Sequence, residues 1–181
     1  PDNVYGYVPK RSTIDAIHKH KKSNWFLKMD IEDFFGSCNF QTIRSLIYNI
    51  YPFCKMDNET KDIFDKVLNR ILYKGKLPQG SPVSPVLTNI IMQGIDYEIM
   101  SYLNSCPDRV VYTRYADDII ISSLKKETIV SLQFIIPRLL IPFTINQEKT
   151  RIGSKNGRNW NLGLMINKDN EITVGHENKK R

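Results

Sequence analysis

Cysteine is scarce: Cys38, Cys54 and Cys106 are the three in 181 residues, and no two of them form a CxxC pair. An odd, scattered set excludes a disulfide scaffold and a cysteine-rich zinc site, and it points to a reducing compartment, the cytoplasm. No run of about 18 apolar residues occurs, so neither a membrane span nor a membrane partner is predicted. Residues 1–11 lack the apolar stretch of a signal peptide. There is no internal repeat, low-complexity tract or Gly/Ser linker. Histidine is rare too; His18, His20 and His176 lie in polar stretches without metal-ligand spacing and read as surface residues. What remains is an ordinary globular composition, 41% hydrophobic and 25% charged, in a length that suits one domain with a sizeable core.

Net acidity is also missing. Lys and Arg number 26 against 19 Asp and Glu, a formal charge of +7. Residues 1–28 hold six bases and two acids, residues 144–181 hold eight and four, and the middle is near neutral. Two basic ends around a near-neutral centre suit a polyanion gripped from two sides, though solvated surface lysines give the same arithmetic.

The pattern of elements alternates helix with strand. Ser12 caps a short polar helix from Thr13 to about Lys22, with Asp15 completing a capping box. Trp25 to Met29 reads as a buried strand ending at Asp30. Asn39 caps a helix to Tyr51, with Ile43, Leu46, Ile47 and Ile50 at helical spacing. Asn58 caps one to about Tyr73, with Ile63, Val67 and Ile71 at helical spacing. After a Gly/Pro-rich loop from Lys74 to Ser84, Ser84-Pro85 reads as cap and first turn of a long helix. Its core stripe is Leu87, Ile91, Ile95, Ile99 and Leu103. Arg109–Tyr115 and Ile119–Ser123 form a hairpin whose tip carries Asp117 and Asp118. Lys125–Leu140 is helical with Pro137 near its end. A second hairpin, Asn161–Ile166 with Ile172–Gly175, turns at Lys168-Asp169-Asn170. Two hairpins among helices predict an α+β fold with an antiparallel sheet.

Three acids stand out. Asp30 ends an apolar strand, and Asp117 and Asp118 sit between apolar β-runs. A carboxylate beside a core strand is costly unless it is exposed, paired or metal-bound. A hairpin tip laid beside the end of another strand would gather these acids, and oxygen ligands with room for water and phosphate suit Mg²⁺. Two such ions would serve an in-line phosphoryl displacement. Alone, Asp117-Asp118 equally fits an Asp-containing turn.

The ordered set of motifs resembles the palm of a reverse transcriptase. Leu27-Lys28-Met29-Asp30-Ile31-Glu32-Asp33-Phe34-Phe35 is similar to the family's first catalytic motif. Leu77-Pro78-Gln79-Gly80-Ser81-Pro82-Val83-Ser84-Pro85 resembles its nucleotide- and template-contacting loop with the helix that follows. Tyr112-Thr113-Arg114-Tyr115-Ala116-Asp117-Asp118 resembles the catalytic hairpin. Asn146-Gln147-Glu148-Lys149-Thr150 resembles the later Asn-x-x-Lys-Thr element, and Leu162-Gly163-Leu164 the strand turn leading towards the thumb. Each motif alone is weak; the series in family order, over roughly residues 5–175, is specific.

The resemblance implies roles. Asp30, Asp117 and Asp118 would be the catalytic metal ligands, assisted by the Ile31 carbonyl, with two Mg²⁺ ions that Mn²⁺ could replace. Phe35 would be the steric gate against a 2′-hydroxyl; its rival reading is a core aromatic. Gln79 and Gly80 would lie over the incoming nucleotide and template base, and Gly80 would let the backbone approach without a Cβ. Lys149 would sit near the triphosphate or support the hairpin; Arg11, Arg114 and Tyr115 would touch template or primer. For Arg11 and Lys149 the plain alternative is solvated surface charge, and for Tyr115 a cross-strand aromatic pair.

The resemblance further implies an RNA-directed DNA polymerase with RNA template, DNA or RNA primer and dNTPs as partners. It covers a right-hand palm with part of the fingers, about residues 1–25 and 36–80 on the fingers side. Further fingers upstream and the thumb downstream are expected to fall outside residues 1–181. Leu-Pro-Gln-Gly-Ser-Pro-x-Ser-Pro and Tyr-Thr-Arg-Tyr-Ala-Asp-Asp favour the bacterial retroelement types: retrons, group II intron proteins and their defence relatives. Asp15-Ala16-Ile17-His18 stands where retrons usually carry Asn-Ala-x-x-His. Two other readings share the residues: template-independent or protein-primed DNA synthesis in phage defence, and a catalytically silent nucleic-acid-binding module.

Overall fold

Capping decides where the first helix begins. In the computed structural model, which describes residues 2–155, 157 and 162–174, α1 spans Thr13–Lys19. Asp15 N–H donates to Ser12 Oγ at 3.2 Å, and Ser12 N–H donates back to Asp15 Oδ2 at 2.8 Å, the expected capping box. The helix stops three residues short of the predicted Lys22 because its C-cap, His20, turns inward.

Strand β1 (Trp25–Asp30) follows, then the single turn α2 (Phe34–Ser37) and α3 (Phe40–Ile47), capped by Asn39 as expected. Helix α4 (Asn58–Ile71) is capped by Asp57, one residue before the Asn58 of the sequence reading. Its packing face is also rotated. Leu68 is buried, with Phe64 and Ile71 against the core, while Ile63 and Val67 are 56% and 48% exposed. The segment offers two apolar stripes, and only one can face inward. Helix α5 (Val83–Asn104) starts with Pro82 as N-cap, so Ser84 lies inside the first turn. Its buried hydroxyl donates to Pro78 O at 2.8 Å, tying the loop to the helix instead of capping it. The stripe from Leu87 to Leu103 is buried throughout.

The hairpin β2 (Val110–Tyr115) and β3 (Asp118–Ser123), helix α6 (Lys126–Leu139) and strand β4 (Arg151–Ser154) complete the main layer. Strand order is β2-β3-β1-β4, antiparallel throughout. β5 (Leu164–Ile166) and β6 (Ile172–Val174) form a separate hairpin. The outer ends of that hairpin as predicted, Asn161 and Gly175, lie outside the described residues, as does His176.

Because side chains alternate across a strand, the sheet has two faces. Leu27, Met29, Ile119, Ile121 and Tyr112 join α5 and α6 in the main core. Phe26 and Ile120 point the other way, to a smaller cluster with Ile17 of α1 and Leu164 and Ile166 of the second hairpin. Lys28 and Asp30 share this second face with Asp118. Among the described residues, no helix is long and apolar enough to cross a membrane.

His20 corrects the surface reading. It is wholly buried under α1, with Nδ1 2.6 Å from Ser122 Oγ and Nε2 2.8 Å from Thr113 Oγ1. Ser122 Oγ donates onward to Ser23 Oγ at 2.8 Å. That leaves Ser122 to accept from Nδ1–H and Thr113 to donate to Nε2, so a neutral ring is satisfied on both sides. Burial pushes the imidazole down to about 3 from its ordinary 6.5. Below 6.5 the unfolded chain takes a proton that the folded chain refuses, so stability falls as pH drops from 6.5 towards 3. Replacing His20 with Gln should reduce the acid sensitivity of the unfolding free energy by roughly 1.4 kcal/mol per pH unit in that window. Parallel urea titrations at pH 7 and 4.5 measure the difference.

Candidate active site

Register brings two of the three acids together. In the β1–β3 ladder Asp30 lies directly opposite Asp118, and across β2–β3 Tyr115 lies opposite Asp118. Opposed residues in an antiparallel pair stand about 4.5–5.5 Å apart at Cβ. Asp117 sits in the turn just before Asp118, and its carbonyl accepts from Ile31 N–H at 3.1 Å. The end of β1 is therefore pinned to the hairpin tip. Ile31 also forms a bridge with Ile145, built from Glu32 N–H to Thr144 O and Asn146 N–H to Asp30 O. Ile31 and Ile145 are the non-hydrogen-bonded pair of that bridge, so the Ile31 carbonyl takes no bond from the 144–146 segment.

The hairpin tip is held from behind. Ala116 adopts a positive φ of 56°, a conformation that alanine takes only at a cost. Arg114 Nη1 donates to Ala116 O at 3.1 Å. Gly6 lies against the same turn, where a Cβ would meet Ala116 N at 2.4 Å, so no larger residue fits there. Asn3 O accepts from Arg114 N–H at 2.9 Å, and Asn89 Nδ2 donates to Gly6 O at 2.8 Å. The N-terminal segment and α5 thus clamp the tip between them.

Arg114 corrects its expected role on nucleic acid. Its side chain is fully buried on the α5 face of β2, with Nη2 donating to Asp96 Oδ2 at 2.7 Å and Nε to Asp96 Oδ1 at 2.9 Å. Tyr112 O–H donates to Asp96 Oδ1 at 2.6 Å. Burial opposes the guanidinium charge, but hydrogen bonding to Asp96 and its negative charge outweigh this and raise the Arg114 pKa. Arg11 likewise turns to its own segment: Nη1 donates to Val4 O at 2.6 Å, Nη2 pairs with Asp2, and the guanidinium lies over the Tyr5 ring.

Two lysines complete the carboxylate cluster. Asn146 caps the 146–150 turn by accepting from Lys149 N–H at 3.2 Å, which aims Lys149 Nζ at Asp30 Oδ1, 2.9 Å away. The bond and the charge of Asp30 raise the Lys149 pKa. Lys28 Nζ lies 2.9 Å from Asp118 Oδ1, yet no donor is aligned on that buried oxygen for a hydrogen bond. The Asp117 carboxyl is pushed up by burial, then by the negative Asp118 and Asp30, against the lowering by its own backbone and Lys149.

These donors fit a hard divalent cation: oxygen ligands only, one buried carboxylate oxygen without a donor, and mutual repulsion that a cation would relieve. The set is open. Among the described residues no three His, Cys, Asp or Glu side chains close into a metal cage. Water or substrate oxygens would complete the shell, as Mg²⁺ prefers.

The other expected residues belong to different segments, Phe35 to α2 and Gln79 and Gly80 to the loop before α5. Phe35 is half-buried, its ring 5.8 Å from that of Phe34, and Phe34 is the one buried against Phe143. Gln79 and Gly80 are exposed in the loop before α5, with Gly80 at φ 87°. Sequence reading missed Lys28, Asn89 and Asp96. The signal for Lys28 was its place two residues before Asp30, on the same strand face. For Asn89 and Asp96 it was a polar residue within the apolar α5.

A twisted antiparallel sheet backed by helices, with paired acids at a hairpin tip, is the architecture of a nucleotide-polymerising palm. The sequence pattern of the family described as reverse transcriptase (RNA-dependent DNA polymerase) matches residues 1–166. The chain belongs to that family. Retron Ec86 reverse transcriptase of Escherichia coli is 31% identical over 182 residues, covering 97% of this chain and 52% of that protein. Retron Mx65 reverse transcriptase of Myxococcus xanthus is 26% identical over 191 residues, 98% of this chain and 43% of that protein. The chain thus spans about half the length of the curated relatives it matches. Among solved structures, apo telomerase from Candida tropicalis truncated from its C-terminal domain shares the fold, with a TM-score of 0.69 at 16% identity over 96% of this chain and 41% of that one.

The clamp behind the hairpin carries its own test. Truncating Asp96 to Ala leaves a buried guanidinium without its counter-charge, so stability should fall by roughly 3–5 kcal/mol. Urea denaturation of Asp96→Ala beside the parent chain measures the loss. A change within about 0.5 kcal/mol, the range of a surface substitution, would contradict the clamp.

Proposed function

We propose that this chain is the palm, with part of the fingers, of an RNA-directed DNA polymerase. The single observation that carries the reading is the register that sets Asp30 opposite Asp118 with Asp117 beside them at the tip. The segments on the fingers side are about residues 1–25 and 36–80, and the remainder is palm. Partners are an RNA template, a DNA or RNA primer and dNTPs.

Asp30, Asp117 and Asp118, with the Ile31 carbonyl, are the residues that would hold two Mg²⁺ ions, or Mn²⁺ in their place. Bound there, the ions would supply charge stabilisation to the attacking and leaving oxygens of phosphoryl transfer. The primer 3′-hydroxyl gives its proton to water, its oxygen forms a bond to the α-phosphorus of the dNTP, the bond from that phosphorus to the bridging oxygen breaks, and pyrophosphate leaves. The protein's part is to position. β1 and the hairpin fix the carboxylates; Lys149, exposed and paired with Asp30, would offer its charge to a triphosphate. Tyr115, opposite Asp118 in the ladder, would pack on the primer's terminal sugar. Phe35 would lie under the sugar, with Gln79 and the Cβ-free Gly80 over the base.

Primer extension by the whole protein, with and without RNA template, tests the reading. Asp30→Ala and Asp117→Ala should each cut extension on the order of 10³-fold, the scale of losing one preorganised charge-stabilising group. Thermal melting should stay near that of the parent, and wild-type extension by either variant would sink the assignment. Template-independent incorporation of equal rate would move the function to untemplated synthesis.

Phe35→Ala should admit ribonucleotides while dNTP use persists. Competing rNTP and dNTP incorporation in the folded variant reads this out, and unchanged exclusion of rNTPs removes Phe35 as the gate.

A further inference from the structure

Lys28 touches the carboxylate cluster from within the sheet. It is on β1 two residues before Asp30, so both side chains leave the same sheet face. Its direct partners are Ile120 across β3 and Arg151 across β4, and Asp118 is the diagonal neighbour on β3. Diagonal neighbours lie about 7–8 Å apart, within reach of a long side chain. The ammonium ends 2.9 Å from Asp118 Oδ1, with only 28% of the lysine side chain and 24% of the aspartate exposed. Lys149 approaches Asp30 from the opposite strand edge at the same distance. Three carboxylates against two ammonium groups leave the cluster a single net negative charge.

We propose that Lys28 is a counter-cation built into the sheet: it neutralises Asp118 in the nucleotide-free protein, so that the carboxylates hold divalent cations weakly until a triphosphate brings its own charge. The inference rests on the two-metal reading above. Lys28 acts through Asp118 and is a positioning residue. The lysine shares its sheet face with Phe26 and Ile120 and keeps only 28% of its side chain exposed, so it is held at the site more closely than a solvated lysine. Lys149, with 60% of its side chain exposed, is by contrast free to transfer to an incoming phosphate. The two lysines therefore divide the work: Lys149 follows the substrate, and Lys28 sets the affinity of the resting site.

The test is Mn²⁺ binding to the nucleotide-free protein, followed by electron paramagnetic resonance of the free ion. Lys28→Gln should bind Mn²⁺ about tenfold more tightly, the effect of removing one positive charge a few ångströms from a divalent ion in a partly solvated site. Lys28→Arg, which keeps the charge, should bind as the parent does. In an Asp118→Asn background, Lys28→Gln should tighten binding clearly less than in the parent, because the part that acts through Asp118 is gone and only direct repulsion remains. Circular dichroism and thermal melting confirm that each variant is folded, and Lys28→Met serves if Lys28→Gln is not. Mn²⁺ binding that weakens in Asp30→Asn but ignores the charge at position 28 overturns the inference and leaves the metal site standing. Absence of Mn²⁺ binding in every variant overturns the metal site itself, and this inference with it.

Discussion

One register, the pairing of β1 with β3, governs the rest. Slipping that ladder by a single residue would turn Leu27 and Met29 out of the core and carry Asp30 to the wrong face. The same alternation that buries Ile119 and Ile121 against α5 and α6 therefore presents Asp30 and Asp118 together on the opposite side. Core packing and the chemical site are two faces of one constraint. The apolar residues hold the register far more firmly than the acids could, since the acids repel one another. The structure thus uses hydrophobic burial to hold like charges together.

That arrangement needs support at its weakest point, the tip. The turn at Ala116 is strained, and the residues on both sides of it carry the chemistry. Support comes from the buried face of β2, where Arg114 reaches Ala116 O while Asp96 holds the guanidinium. A buried ion pair adds little net stability against an apolar alternative, because both charges give up water. Its use here is geometric: the planar guanidinium satisfies Asp96, Asn89 and the turn carbonyl at once, a job for which an apolar side chain offers no donors. The α5 helix is thereby more than a packing element, for it supplies the polar groups that fix the hairpin's end.

Where periodicity and capping are unambiguous, the sequence was sufficient. The β1 strand, the β2–β3 hairpin with its acids, the capping box at Ser12 and the long stripe of α5 are all visible in residue spacing. What spacing could not show was tertiary choice. The α4 segment carries two apolar stripes, and only the contact with α3 and the core selects Phe64, Leu68 and Ile71 over Ile63 and Val67. Strand β4, Arg151–Ser154, has no alternation to announce it and exists because the open edge of β1 offers it a ladder. His20 and Arg114 look like surface residues in a line of text; each is buried because its partners lie far away in sequence, at Ser122 and Thr113 for one and at Asp96 for the other. The carboxylates and Lys149 were legible as motifs, while the pairing of Lys28 with Asp118 was not, since a charge partner is defined by distance in space.

The balance of charge on the site face has a further consequence for how the palm can be built. Asp30 has 10% and Asp118 24% of its side chain exposed, so neither sits in bulk water, where repulsion between them would be weak. A fully apolar surround would make the cluster intolerable, and a fully wet one would screen cations as much as it relieved the acids. The intermediate burial, with a lysine on either side, is the condition under which a divalent ion and a triphosphate gain most from arriving together. The second-face cluster of Ile17, Phe26, Ile120, Leu164 and Ile166 marks where that polar zone ends. Beyond it the sheet face is covered by α1 and the second hairpin. Among the described residues, that cluster covers the face away from the end of β1 and the hairpin tip, where the carboxylates and both lysines lie.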